Sequence, residues 1–147
     1  MRVVLQRVSM AEVSVSGETI GRIGSGLLAL VAFSSRDDEN DLAWMARKIV
    51  DLRVFDDDNG NLNLSMRDIR GQLLVVSQFT LYGDCKKGRR PSYSQAAPPA
   101  QAGALYNRFV EIARGMVPDV QTGRFQAEME VRLTNDGPVT LILDSRG

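Results

Sequence analysis

Four consecutive residues, Ser77, Gln78, Phe79 and Thr80, close an otherwise apolar stretch that begins Gln72-Leu73-Leu74-Val75-Val76. Two hydroxyls and an amide at a strand end can converge with backbone N–H groups on a developing oxyanion. A strand with one polar face would read the same way. Few side chains are available to support them, because the chain contains no histidine. That excludes Ser-His-Asp and Cys-His catalysis and removes the side chain that ordinarily titrates near neutrality. Without an imidazole the Thr80 hydroxyl is a poor nucleophile. Hydrolysis here must draw on carboxylates, a depressed lysine, backbone dipoles or the substrate itself.

Gly137 and Pro138 form a second unusual pair, set between the strand-like stretches Ala127 to Leu133 and Val139 to Leu143. Proline offers no ladder donor and glycine leaves the pleat empty. Such a step is a turn, an edge, a bulge or a place where another group approaches the backbone closely. X-Pro bonds also adopt the cis form at low cost, which would aim both carbonyls outside ordinary strand geometry.

The loop Gly83-Asp84-Cys85-Lys86-Lys87-Gly88-Arg89 carries the glycine spacing of a phosphate-binding P-loop. Arg89 stands where the phosphate lysine belongs, Arg90 replaces the magnesium-holding hydroxyl and Pro91 follows, so nucleotide hydrolysis is rejected. Lys86, Lys87, Arg89 and Arg90 remain the densest basic cluster, either a solvated loop or a local phosphate clamp. Asp56 to Gly60 mimics a calcium loop, but the register puts Phe55 and Met66 at ligand positions, which leaves a polar hairpin turn. Gly21, Gly24 and Gly26 give no dinucleotide fingerprint and read as turn glycines.

The elements that must position these groups follow from pattern. A chain of 147 residues, 44% hydrophobic and 24% charged, fits one domain spanning 1–147 with a core of its own. Eighteen basic residues balance eighteen acidic ones, which weakens any case for broad nucleic-acid binding and leaves room only for a small local contact. Cys85 is the only cysteine, so no internal disulfide or zinc cluster forms, and an intracellular compartment is expected. The opening residues hold too short an apolar run for an export signal, and nothing later approaches a membrane span.

Alternation predicts two or three antiparallel strands before Gly24, then a doubly covered strand over Leu27 to Phe33. Leu42, Met45, Ala46 and Ile49 predict a helix over about 38–51, capped by Asp37 or Asp38. A strong strand runs from Gln72 to Leu81. A second helix follows Pro98-Pro99, with Leu105, Phe109, Ile112 or Ala113, and Met116 as its buried face, and ends at Gly115. Two main helices and about seven strands without βαβ regularity indicate an α/β (α+β) fold: layered β/β/α, with mostly antiparallel, barrel-like sheets.

Taken together, Val75 to Leu81, Lys87-Gly88-Arg89-Arg90-Pro91-Ser92-Tyr93, Gln121 to Phe125 and Asn135 to Thr140 resemble the D-aminoacyl-tRNA deacylases. Gln6-Arg7-Val8 and the segment Ala11 to Val15 fit as well. The resemblance implies a cytoplasmic homodimer that hydrolyses the ester joining a D-amino acid, or glycine, to the acceptor end of tRNA. It implies no metal, no nucleotide cofactor and no membrane. Its two motifs fall on Ser77, Gln78, Phe79 and Thr80, and on Gly137 and Pro138, the latter pair cis and inserted into the partner's site to reject L substrates. Arg7 is implied to hold the Gly-Pro segment and Phe125 to lie where the terminal adenine is received; beside such a site the basic cluster Lys86, Lys87, Arg89 and Arg90 is read as a contact to phosphate. Catalysis is implied to be RNA-assisted, with Gln78 and Thr80 positioning water and a backbone N–H near Phe79 receiving the oxyanion.

Overall fold

The computed structural model describes residues 1–147. Its organising element is β1 (Arg2–Val15), a strand long enough to pair with three others. Along its first half β1 lies between β3 (Gly26–Ala32) and β8 (Glu130–Asp144); along its second half it lies between β2 (Glu18–Ile23) and β8, and all three pairings are antiparallel. Beyond β3 the sheet continues in parallel through β6 (Gln72–Ser77) to β7 (Val120–Thr122). The two ends of the sheet meet, because β2 crosses over β6 and β7. A Cβ on Gly21 would lie 2.8 Å from the Thr122 carbonyl and 3.3 Å from Leu74 Cδ1. The result is the barrel-like sheet that the pattern of strands predicts.

The parallel half departs from the expectation of no βαβ regularity. Helix α1 (Glu39–Asp51), with the short hairpin β4 (Phe55–Asp56) and β5 (Leu62–Leu64), crosses from β3 to β6, and α2 (Pro99–Arg114) crosses from β6 to β7. Parallel neighbours need such long crossovers, and both helices cover one sheet face. That face presents Leu5, Leu27, Ala29, Leu73 and Val75 to Leu42, Met45 and Ile49 of α1 and to Tyr106 and Phe109 of α2. The opposite face packs Val8, Ala11, Val13, Leu28, Leu74 and Val76 together inside the curl.

Val3 and Leu5 therefore belong to one core while Ala11 and Val13, of the same parity, belong to the other. A strand changes faces only by a slip in register. Here the pairing of β1 with β8 slips between Gln6 and Val8 and again between Val8 and Met10.

Asp38 caps α1 with a reciprocal capping box: its carboxylate accepts from Asn40 and Asp41 N–H, and its own N–H donates to Asp41 at 2.9 Å. Asp37, the other candidate, instead binds the Met1 ammonium at 2.5 Å and the Ser34 N–H at 2.8 Å. On α2 the buried stripe is Ala102, Tyr106, Phe109, Val110 and Ala113, whereas Leu105, Ile112 and Met116 are only half-buried. Tyr106 turns inward because its hydroxyl finds an acceptor in the core, the Val75 carbonyl at 2.9 Å. The hairpin at Asp57 forms as expected, with that carboxylate accepting from Asn59 and Asn61 N–H at 2.9 and 3.0 Å. No helix is long and apolar enough to cross a membrane.

Gly21 and Gly26 are not turn glycines but points of close approach within strands. A Cβ on Gly26 would fall 1.9 Å from the Gln72 carbonyl oxygen, where β3 first meets β6. Gly26→Ala should therefore cost roughly 3 kcal/mol by overpacking and lower the melting temperature by roughly 10 °C. Gly60→Ala, with nothing within 4 Å of the added carbon and only the strain of φ +77° to bear, should cost about 1 kcal/mol. Equal melting temperatures for the two variants would refute this account of the β3–β6 contact.

Candidate functional site

The C-terminal ends of the parallel strands β3 and β6 open on the same side, where open α/β sheets bind their ligands. The ladder closes with Gln78 N–H donating to the Val31 carbonyl at 2.7 Å. Gln78 then takes φ −145° and ψ 74°, and Phe79–Tyr82 coil into one 3₁₀ turn. Sequence alone extends the strand to Leu81, with Ser77 and Phe79 facing one side and Gln78 and Thr80 the other. That alternation does not exist, because pairing with β3 ends at Val31 opposite Ser77 and pairing with β7 ends earlier, at Val75. With no neighbour left, the chain turns despite its strand-like composition.

The turn collects the polar groups. The Gln78 side-chain amide donates to the Thr80 hydroxyl. No carboxylate or amine bonds to Thr80, so nothing on the protein activates it as a nucleophile. N–H groups that open a helical turn have no partner within it, and Gln78 supplies no side-chain cap. The N–H groups of Phe79 and Thr80 are thus free to receive an oxygen.

Beside the turn lies a cavity of about 670 Å³ walled by the ends of β3 and β6, by Tyr93 and Ala96 to Pro99, and by Phe125 to Met129. Ser77, Gln78, Phe79 and Phe125 line it, with Thr80 one residue outside. Its walls are chiefly apolar, and Glu128 is the only acid among them. Phe79 is 58% exposed and meets the Tyr93 ring edge-on at 5.2 Å, an aromatic face left open to a ligand. Phe125 stacks on Tyr106 at 5.9 Å, and Gly103 makes room for its ring, since a Cβ there would come within 3.1 Å. Tyr106, anchored on Val75, therefore ties the cavity wall to the core. Burial pushes its hydroxyl up to about 12.

The other expected residues lie elsewhere. Lys86, Lys87, Arg89 and Arg90 ride on an exposed loop closed by Asp84 and Ser92, whose N–H and carbonyl groups exchange bonds of 2.7 and 2.9 Å. None of the four lines the cavity or pairs with a carboxylate, and the loop leads directly into Tyr93, which does line it. Gly137 and Pro138 are exposed on β8 and do not reach their own chain's cavity. Their peptide bond is cis, and Gly137 has φ +125°. They sit in the slip opposite Arg7, where Gln6 pairs with Thr140 and Val8 already pairs with Asn135. Arg7 is buried and donates from Nε to the Asp136 carbonyl at 3.1 Å and from Nη1 to the Val54 carbonyl at 2.8 Å.

Three contributors are missing from the sequence reading of the site. Tyr93 is named only as part of a motif, Tyr106 is hidden by its polar atom, and Gln126 reaches the rim through a left-handed turn, φ +64°, that nothing in its type announces. No group of three or more His, Cys, Asp or Glu side chains is arranged to hold a metal ion.

Residues 4–144 match a family model described as D-Tyr-tRNA(Tyr) deacylase. A D-aminoacyl-tRNA deacylase from Thermosipho africanus is 56% identical over 146 residues, covering 99% of this chain and 98% of that one. One from Geobacter sulfurreducens is 53% identical, covering 99% and 96%. Among solved structures, a c-Myc DNA unwinding element binding protein matches with a TM-score of 0.93 and 41% identity over 98% of both chains. A probable eukaryotic D-amino acid tRNA deacylase shares the fold at a TM-score of 0.80 and 22% identity over 97% of both chains.

The Tyr106 anchor has a pH signature. Unfolded, this hydroxyl ionises near 10; folded, it holds its proton to about 12. In that window the unfolded chain binds fewer protons than the folded one, so stability falls as pH rises. Tyr106→Phe should lose about 1 kcal/mol at neutral pH yet show a shallower decline in urea midpoint above pH 10. An unchanged alkaline slope would remove Tyr106 from this role.

Proposed function

The chain belongs to the D-aminoacyl-tRNA deacylase family, hydrolases of aminoacyl-tRNA, and from that premise we propose that the Ser77–Thr80 turn holds the scissile ester while Gly137 and Pro138 of a second copy guard its α-carbon. The observation that carries this reading is the pairing of an aromatic-rimmed cavity, with free backbone N–H groups at its mouth, and a Gly-Pro bulge exposed on another part of the same chain. A bulge that cannot serve its own cavity fits one that serves a partner's, hence a homodimer. A cytoplasmic location suits the substrate.

Water adds to the ester carbonyl carbon, and the resulting oxyanion is received by the N–H groups of Phe79 and Thr80. The ester C–O bond to the terminal ribose then breaks, and the ribose oxygen takes the proton, releasing free amino acid and tRNA. An aminoacyl ester is already activated, and the neighbouring ribose hydroxyl can orient the water, so the protein supplies mainly position. Gln78 fixes the Thr80 hydroxyl for that purpose. Phe125, on its Tyr106 support, offers a face to the terminal adenine. Lys86, Lys87, Arg89 and Arg90 meet phosphates just beyond the cavity rim.

Chirality follows from crowding. With the Gly137 and Pro138 carbonyls beside the substrate ammonium, a side chain in the L position collides with backbone, while a D side chain or a hydrogen does not. Glycine esters, including glycine mischarged on the alanine tRNA, are therefore substrates too.

The decisive measurement is a paired deacylation assay on D- and L-aminoacyl-tRNA with EDTA present. Cleavage of the D form with sparing of the L form is expected, at a rate EDTA does not alter; equal cleavage of both, or of neither, would falsify the reading. Thr80→Ala should cost less than about tenfold in kcat if its hydroxyl only positions water, against at least about 100-fold for an essential nucleophile. Gly137→Ala should lower turnover of D substrate about 100-fold. An added Cβ would come within 2.7 Å of Arg7 Nη2, so a thermal melt must show that the variant stays folded.

A further inference from the structure

The outer face of α1 carries Trp44, Arg47, Lys48 and Asp51 at a spacing of three, four and seven residues, opposite the buried Leu42, Met45, Ala46 and Ile49. Together with Leu52 and Arg53 they line a shallow cleft of about 450 Å³. Trp44 is 38% exposed, and the Lys48 ammonium lies 5.4 Å from its ring centroid. The single acid of the stripe is already engaged, because Arg67 Nε binds Asp51 at 3.0 Å. Arg53 donates only to the neutral Asn63 side chain, at 3.3 Å. Arg47 and Lys48 have no carboxylate partner. Arg47 and Lys48 thus stand without an ion pair on one exposed helical face, with Lys48 against an open aromatic ring and Arg53 at the end of the same cleft.

The position of this stripe connects it to the site. Arg53 immediately precedes Val54, whose carbonyl accepts from Arg7, and Arg7 in turn holds the Asp136 carbonyl beside Gly137. The Arg53 end of the cationic face thus lies toward the Gly-Pro bulge. Its only apolar members are Trp44 and Leu52, too little apolar surface for the core of a protein interface. A phosphate backbone asks only for cations, with an aromatic face as an added platform. We propose that Trp44, Arg47, Lys48 and Arg53 bind the backbone of the aminoacyl-tRNA whose ester the Gly137–Pro138 bulge guards. This second footprint rests on the proposed function and extends it from the terminal nucleotide to the body of the RNA.

The test is the double variant Arg47→Glu/Lys48→Glu, in the full chain, on two substrates: D-tyrosyl-tRNA and the D-tyrosyl ester of a CCA trinucleotide, which has no acceptor arm. The rise in KM on full-length tRNA should exceed that on the trinucleotide by about tenfold, with kcat for the tRNA preserved within about twofold. Fluorescence anisotropy with uncharged tRNA should show a salt dependence shallower by about two in log–log slope. Equal KM penalties on both substrates, or a tRNA affinity and salt slope that charge reversal does not move, overturn the proposal and leave the stripe to another partner, such as an acidic protein. Should wild-type protein cleave no D-aminoacyl ester at all, the functional reading fails while the anisotropy measurement still decides this one.

Discussion

A guanidinium taken out of water costs several kcal/mol unless its donors are answered, and Arg7 is answered from two separate segments. The Val54 carbonyl accepts at 2.8 Å, the Asp136 carbonyl at 3.1 Å, and the carboxylates of Asp136 and Asp56 stand at 3.4 and 3.6 Å. From the other side, the Asn135 side-chain amide donates to the Arg7 carbonyl at 2.9 Å and to the Val139 carbonyl at 3.0 Å, spanning the base of the bulge. Residues 136 to 139 are thereby held away from the sheet while their ends remain in the ladder. The same slip lets β1 change faces, so that its first half covers the helical layer and its second half the inside of the curl. Removing the Arg7 side chain would leave carbonyls of two segments facing a void and undo both arrangements at once.

Local chemistry was legible in the sequence where local chemistry decides. The hairpin at Asp57, the apolar stripe of α1 and the interruption at Gly137 follow from spacing alone, and the cap of α1 is narrowed to Asp37 or Asp38, between which the Met1 ammonium decides by taking Asp37. What escaped was set by neighbours distant in sequence. The strand through Val76 stops at Ser77 because β3 runs out, which no property of Phe79, Thr80 or Leu81 reveals. Gly21 and Gly26 are glycines because Thr122 and Gln72 come close, across a hundred residues in one case. Tyr106 turns inward because Val75 offers a carbonyl. The parallel pairing of β3, β6 and β7 was hidden by the hairpin β4–β5, which breaks the βαβ rhythm between Asp51 and Gln72.

The absence of histidine shapes what the cavity can do. Its wall holds hydroxyl, amide, aromatic and backbone groups, with Glu128 as the one acid. Such a lining fixes geometry and supplies hydrogen-bond donors but moves few protons. A substrate that is itself an activated ester beside a free hydroxyl asks for little else, and preorganised backbone donors are effective there because they do not reorganise as charge develops. The apolar support behind them, from Phe125 through Tyr106 to the Val75 carbonyl, keeps that geometry fixed relative to the core.

The proposed filter gives the bonds made by Arg7 and Asn135 a use beyond holding the fold. Specificity is a difference between two affinities, and it can be obtained by recognising one substrate or by obstructing the other. A pocket built to recognise a D side chain would have to choose among side chains of every size and polarity. Obstructing the L position needs only backbone that does not yield, whatever the amino acid. A wall of that kind must not relax by even about 1 Å, since a displacement of that size is worth orders of magnitude in rate. Gly137 contributes no side chain that could swing aside, and the bonds from Arg7 and Asn135 clamp the bulge on both flanks. The buried Arg7 guanidinium, which joins β1 to two other segments, is therefore also the strut that would let bare backbone discriminate between mirror images.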